Sequence, residues 1–399
     1  MSESNLNSKD RKYEVSKMSD SKVEILFLNE EDMIKAGVLD AERCVNVVGE
    51  VVSLLSEEDY LMGGKEHNEH GIQLIFPKES PIEGFPLEDS ADRRFMSMPA
   101  YLGGRFHLAG EKWYGSNARN LKKGLPRSIL MVTLNDIETG QPLAYMSGNL
   151  LSAMRTGAMP GLTAQYLARK DAKVLTLLGA GVINRTSLMA IMAKVPSIET
   201  LKIRGSSETS KTALAMKEFA RETYPQLKEI IICKTLEEAV RDSDIISEAV
   251  SVPWGEWPRL EPEWIKPGCL IISSGTMDLD LDFIEKHVTK VVDNIHMYEE
   301  YIQVYQLYDE EGNRLSSGTP GMFFVNMIND GKIDRSDVKH LGEIVKKTIL
   351  GRTEEDEIIL VSLGGMPILD VGWGYECYKS AVEKGIGTKL KLWDEPYLH

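Results

Sequence analysis

The stretch VLTLLGAGVINRTSLMAI, residues 174–191, constrains the fold more than any other part of the chain. An apolar run, Lys173–Leu178, passes directly into Gly179-Ala180-Gly181, and helix-forming text begins at Val182. A strand that ends in a tight glycine turn and continues as a helix is the opening unit of a doubly wound α/β domain. The first glycine permits the turn, and the second lets a pyrophosphate approach the backbone over the helix N-terminus. Gly179, Ala180, Gly181, Val182 and Ile183 are therefore the expected dinucleotide cradle. The third position of the G-x-G-x-x-G pattern holds Asn184, so the motif is incomplete by itself and its context must carry it.

The context is an alternation of short apolar strands and helices. After the glycine turn come ETLKIRG, a helix near Thr209–Arg221, LKEIIICK, a short helix in TLEEAVRD, then SDIISEAV, GCLIISSG and TKVVDN. Continuous apolar strands separated by helices indicate a parallel sheet covered on both faces, a Rossmann fold. The second strand ends Lys202-Ile203-Arg204-Gly205-Ser206-Ser207, with Lys211 shortly after. An NAD site places Asp or Glu there to hold the ribose diol. Arg204 with Ser206 and Ser207 suits the 2′-phosphate of NADP better, with NAD as the alternative.

The chain before this domain reads differently. Residues 1–22 are polar and without periodicity, as in a disordered arm. VEILFL reads as a strand and residues 29–55 as one helix. Over 71–148, β-prone runs punctuated by Gly, Pro and Asn predict antiparallel strands in a sheet or small barrel. Ser152 reads as the N-cap of a helix over SAMRTGAMPGLTAQYLARK, which places the Rossmann domain at 151–324. Beyond 325 the text predicts a helix over 336–350, a strand in EIILVSL and a last helix around GYECYKSAVEKGIG.

A chain of 399 residues supports two domains with sizeable cores. Its net charge of −15 argues against a nucleic-acid partner, which would require a basic face. Four cysteines, Cys44, Cys233, Cys269 and Cys377, form no CxxC pair, as in a reducing, cytoplasmic compartment. No apolar run reaches the ~18–20 residues that a membrane helix requires.

Charged residues inside apolar segments are costly unless they pair or bind something. Lys112 in HLAGEKWYG and Arg155 in SAMRTGAM are such residues, and both stand just upstream of the nucleotide domain. Two cations there suit an amino-acid carboxylate, which Arg can grip with two hydrogen bonds. The HxxH pair His67 and His70 follows Gly63-Gly64 in a polar stretch and reads as a solvated loop; no metal is expected. The Trp254/Trp257 pair either lines a pocket or staples a loop, and Glu354–Glu357 reads as a solvated turn.

Several segments together make the chain resemble the ornithine cyclodeaminase/mu-crystallin family. They are SMPAYL at 97–102, GEKWYGSNARNLKKGLP at 110–126, LNDIETGQPLAYMSGNLLSAMRTGAM at 134–159, the LLGAGV turn and LGEIVKKTILGRTEEDEIILVSLGG at 341–365. The resemblance runs from about residue 71 to the carboxyl end and continues through Asp370. It implies a substrate and dimerisation domain of α+β type over 23–150, completed by 325–399, a nicotinamide cofactor, a small amino-acid or imino-acid substrate, and a homodimer. It also implies that Lys112 and Arg155 bind the substrate carboxylate. The family's upstream arginine has no clean match, and Lys78, Arg93 or Arg94 are the substitutes.

The resemblance breaks at Thr276, where the cyclodeaminases carry an aspartate that handles protons on the substrate nitrogen. Threonine has no acid–base capacity near neutral pH. Thr276 imitates the serine of the ketimine-reductase branch, while Asp278 or Asp280 could take over the proton. In the tail, Pro367 stands where members usually carry Ala. The expected activity is therefore NAD(P)-dependent interconversion of an amino acid and its imine. Redox-neutral ornithine cyclodeamination and a non-catalytic dinucleotide-binding subunit are the alternatives.

Overall fold

The computed structural model describes residues 21–88, 90, 92–305 and 317–398. Apart from its last two residues, the expected arm over 1–22 lies outside the described residues. The chain opens with β1 (Val23–Leu28), α1 (Glu30–Lys35) and α2 (Ala41–Leu55). The single helix expected over 29–55 is broken because Gly37 turns the chain with φ +93°. Asp40 then starts α2 afresh, its carboxylate accepting from the Arg43 N–H at 3.0 Å. Two short strands follow, β2 (Tyr60–Met62) and β3 (Ile72–Ile75), then β4 (Arg94–Leu102), β5 (Leu108–Ser116), β6 (Ser128–Asp136) and β7 (Pro142–Ser147).

Helix α3 (Asn149–Leu167) carries the chain to a second sheet. It begins at Asn149 with Gly148 as N-cap, so Ser152 sits inside the helix and does not cap it. The alternation continues with β8 (Val174–Leu178), α4 (Val182–Lys194), β9 (Thr200–Arg204), α5 (Lys211–Thr223), β10 (Glu229–Ile232), α6 (Leu236–Val240) and β11 (Ile245–Glu248). Then come β12 (Arg259–Leu260), β13 (Leu270–Ser273), β14 (Asp278–Leu279), α7 (Leu281–His287), β15 (Val288–Val292), α8 (Ile295–Tyr305) and α9 (Pro320–Asn329). The chain closes with β16 (Val338–His340), α10 (Leu341–Val345), β17 (Ile358–Ser362), α11 (Pro367–Lys384) and β18 (Thr388–Trp393).

The first sheet is open, in the order β18-β1-β7-β6-β5-β4-β2 with β3 on β4. It is mixed, because β1 runs parallel to β7 while the other neighbours are antiparallel. Alternation along β4 buries Met96, Met98, Ala100 and Leu102 and turns Phe95 outward, as a half-buried sheet requires. The second sheet is parallel throughout, in the order β10-β9-β8-β11-β13-β17-β15-β16.

The segment beyond 324 divides between the two sheets. β16 and β17 pair within the parallel sheet, with β17 between β13 and β15, whereas β18 pairs with β1. The helix expected over 336–350 is thereby interrupted. Val338–His340 is recruited as an edge strand on Lys290–Val292, and helix resumes only at Leu341–Val345.

Helices α3 and α4 join the two halves. A Cβ on Gly157 would lie 2.3 Å from Thr186 Oγ1, and one on Gly161 would lie 2.5 Å from Ala190 Cβ, so only glycine permits this approach. Thr186 Oγ1 also donates to the Ala153 carbonyl at 2.9 Å. The helix that carries Arg155 is thus locked to the helix that follows the glycine turn.

Candidate active site

Lys112 lies on the inner face of β5, Arg155 on α3 and Asp370 in the first turn of α11, and all three are buried. Arg155 Nε donates to Asp370 Oδ1 at 3.0 Å. Asp370 Oδ2 makes ion-pair contacts with Lys112 Nζ at 2.9 Å and Arg155 Nη2 at 3.0 Å. Ser152 Oγ stands beside both cations, 3.3 Å from Lys112 Nζ and 3.4 Å from Arg155 Nη2. Two cations share one carboxylate, so the cluster retains an excess positive charge. Burial and the neighbouring Arg155 bring the Lys112 ammonium down to about 8, against the pull of Asp370. Burial alone would raise Asp370; Arg155 and Lys112 outweigh it and hold the carboxyl below its ordinary range.

His70 joins this cluster from the loop before β3, where the sequence reads as a solvated loop. Its Nδ1 is enclosed and has no hydrogen-bond partner among the described residues. Burial first, then the charges of Lys112 and Arg155, push the imidazole down to about 3, with a hydrogen bond to the Gly365 backbone opposing them. The polar text of 65–70 concealed this, because burial of His70 comes from α8, where Tyr301 meets its ring at 5.8 Å, and from the loop after β17.

Of the substitutes for the upstream arginine, Arg94 stands nearest the cluster. It pairs with Asp92 at 2.6 Å and reaches the Tyr114 hydroxyl at 3.5 Å, and Lys112 Nζ lies 5.8 Å from the Tyr114 ring. Arg93 is held over the Phe76 ring and donates to the Leu87 carbonyl at 2.7 Å, while Lys78 is exposed.

At the glycine turn, Gly179 adopts φ +94° and its N–H donates to the Arg204 carbonyl at 2.8 Å. The ends of β8 and β9 are therefore adjacent, and Arg204 stands beside the turn, with Ser206 and Ser207 following it in the chain. Arg204 Nη1 donates to the Gly205 carbonyl, and Ser207 Oγ lies 3.5 Å from Thr209 Oγ1. Gly181 is the N-cap of α4 without a side-chain cap, and a Cβ there would meet nothing. These open amides fit an anion. Asn184 explains the departure from the glycine fingerprint. Its Nδ2 donates to the carbonyls of Leu178 at 2.7 Å and Gly179 at 2.8 Å, and its Oδ1 accepts from Ser247 Oγ at 2.9 Å, tying the turn to β11.

Glu248, which sequence reasoning passed over, ends β11 fully buried. Its carboxylate accepts from Val250 N–H at 2.7 Å, Ser273 Oγ at 2.8 Å and Gly275 N–H at 3.2 Å, and it is also bonded by the Thr276 backbone. Burial dominates and raises it to about 7. A glutamate within the apolar text of SDIISEAV was the available signal. Thr276 thus sits at the C-terminal end of β13 between Glu248 and Gly318. Asp278 is engaged by Arg259 at 2.8 Å on a half-exposed surface, and Asp280 caps α7 by accepting from the Phe283 N–H at 2.8 Å. Neither is a free carboxylate as the sequence suggested, because the β12–β14 ribbon and α7 claim them.

Trp254 and Trp257 meet edge to face at 5.3 Å. The four cysteines are buried and free. Within the acidic run, Glu357 is anchored, its Oε2 accepting from the Thr353 N–H at 2.7 Å. No described helix is long and apolar enough to cross a membrane. Among the described residues, no group of three or more His, Cys, Asp or Glu side chains is placed to hold a metal ion.

Residues 39–385 match the model of the ornithine cyclodeaminase/mu-crystallin family. N-((2S)-2-amino-2-carboxyethyl)-L-glutamate dehydrogenase of Staphylococcus aureus is 26% identical over 374 residues, 93% of this chain and 99% of that protein. An archaeal alanine dehydrogenase, solved as a dimer with bound NAD, superposes with a TM-score of 0.71 at 25% identity, covering 93% of this chain and 100% of its own. The Δ1-pyrroline-2-carboxylate reductase of Thermococcus litoralis, solved with NADH and L-proline, gives 0.71 at 26% identity over 91% of this chain and 99% of its own. With a family match that spans both sheets and both halves of the buried cluster, this chain belongs to the ornithine cyclodeaminase/mu-crystallin family.

Proposed function

We propose that the protein is an NAD(P)-dependent oxidoreductase that interconverts a small amino acid and its imine, moving a hydride between nicotinamide C4 and the carbon of a C=N or CH–NH group. The observation that carries this reading is the buried Lys112–Arg155 pair with a single counter-carboxylate. Such a pair is preorganised for a substrate carboxylate, and removal of water strengthens its field. Asp370 holds the two cations in register. Thr276, placed by Glu248, and Asp278 are the remaining candidates near the reacting nitrogen, and Asp278 is the weaker because Arg259 already engages it.

The residues at the glycine turn fit the dinucleotide. Gly179 makes the turn, and the amides of Ala180, Gly181, Val182 and Ile183 would hold the pyrophosphate at the N-terminus of α4. When bound, the nicotinamide supplies the hydride chemistry. Arg204, Ser206 and Ser207 suit a 2′-phosphate, which favours NADP over NAD for this chain.

The outer face of the first sheet suits a second copy of the chain. Phe95 and Trp113 stack there at 5.7 Å, and Ile72, Leu74, Phe95, Trp113 and Ile129 are exposed on that face. An apolar patch of this kind on a sheet face marks an interaction surface. We infer a homodimer through this face.

The test is consumption of NADPH and NADH against a panel of cyclic and linear α-imino acids, with conversion of ornithine to proline run beside it. Oxidation of the reduced cofactor with an imine is the expected outcome. Ammonia release from ornithine without net cofactor change would replace this reading with cyclodeamination. Tight cofactor binding with no turnover on any imine or amino acid would leave a non-catalytic subunit.

A further inference from the structure

His70 and Arg155 come together over a glycine. A Cβ on Gly365 would lie 3.0 Å from His70 Cε1, 3.4 Å from Arg155 Nη1 and 3.6 Å from Arg155 Nη2. Any other residue at 365 would push the imidazole and the guanidinium apart. The ring therefore belongs to the same buried site as Lys112, Arg155 and Asp370, although it reaches that site from a different segment of the chain.

The protonation state of the ring follows from its surroundings. Lys112, Arg155 and Arg94 all oppose a positive imidazole, and burial opposes it further. The Gly365 backbone favours a ring N–H directed at it. Nδ1 has no partner among the described residues, so the nitrogen that bonds Gly365 is Nε2. In a neutral imidazole with its proton on Nε2, Nδ1 is an acceptor. A buried acceptor without a donor costs free energy unless a ligand supplies one. Lys112 and Arg155 face anions, so they leave no site of their own for an N–H donor on the substrate. A substrate that carries both a carboxylate and an amine or iminium nitrogen presents the two complementary groups.

We propose that His70 is a specificity-determining residue, a neutral acceptor that takes an N–H of the substrate nitrogen while Lys112 and Arg155 hold the carboxylate. This rests on the function proposed above. The site would then select α-amino and α-imino acids over 2-oxo acids, which have a carboxylate but no hydrogen-bond donor on the adjacent carbon.

The experiment compares His70→Phe, His70→Asn and His70→Gln with the wild-type protein, reading KM and kcat for the best imino acid in the panel and KM for the reduced cofactor. Asn places its amide oxygen close to the position of Nδ1, whereas Gln places its own nearer Nε2. The expected result is a rise of about tenfold or more in the imino-acid KM for His70→Phe, most of it recovered in His70→Asn and little in His70→Gln, with the cofactor KM unchanged. Equal KM in all four proteins would overturn the proposal. So would equal damage in Asn and Gln accompanied by a lowered melting temperature, which a purely structural histidine would give. Should His70→Phe not fold, the Asn and Gln pair still decides the matter. A wild-type protein that binds NADH but turns over no imino acid would sink the functional reading itself, an outcome distinct from wild-type turnover that is indifferent to residue 70.

Discussion

Arg155 and Asp370 stand 215 residues apart in sequence and meet with Nε donating to Oδ1 at 3.0 Å. The contact joins the helix that leaves the first sheet to the helix that returns to it. It also places charges from two distant segments of the chain in one buried cluster.

Asp370→Asn should therefore damage stability as well as activity. It removes the carboxylate shared by two buried cations, and breaking such a pair costs about 3–5 kcal/mol. Urea unfolding should show a lower midpoint with an unchanged slope. Unaltered stability would mean that the cations find water on their own.

Lys112 should impose the alkaline limb of the pH profile. Its ammonium falls from the ordinary lysine value to about 8 because it is buried beside Arg155. The charged form binds a carboxylate, so binding is present below that pH and lost as pH rises through it. The kcat/KM for an imino acid should fall above pH 8, and Lys112→Met should lower it by about 100-fold and remove the limb.

Glu248 should govern the acid side. Burial raises its carboxyl to about 7, and the ionised form accepts from Val250, Ser273, Gly275 and Thr276. As pH falls through 7 the carboxyl takes up a proton, which the buried site favours, but one oxygen then no longer accepts from the Thr276 segment, so kcat should decline while global stability does not. Glu248→Gln should show the low value at every pH and lose about 1–3 kcal/mol of stability, because its amide group faces donors. A variant that keeps the wild-type acid limb would assign that limb to another group.

Arg204→Ala should separate the two cofactors. The KM for NADPH should rise by about tenfold while that for NADH stays nearly constant. A parallel rise in both would place Arg204 on a shared part of the dinucleotide.

The paired change Phe95→Asp and Trp113→Asp should shift the protein from dimer to monomer in sedimentation, with the parallel sheet intact by circular dichroism. A dimer that survives both charges would move the interface to another face.

Elements with a local pattern were legible in the amino-acid text. The apolar strands from Val174 to Val292, the glycine turn and its helix, and the alternation of β4–β6 all follow from periodicity and turn chemistry, and the costly charges at Lys112 and Arg155 stand out from their neighbours. The rest depends on partners distant in the chain and emerges only in the folded molecule. Residues 336–350 read as helix, yet Val338–His340 becomes a strand because β15 offers an unpaired edge. Strand β17 enters the sheet between β13 and β15, an order that no local pattern encodes. His70 lies in polar text, and its Nδ1 is enclosed only when Gly365, Tyr301 and Arg155 close around the ring. Asp278 reads as a free acid until Arg259 reaches it. Periodicity and glycine placement act over a few residues, whereas burial and charge pairing are set by whatever the completed fold brings within a few ångströms.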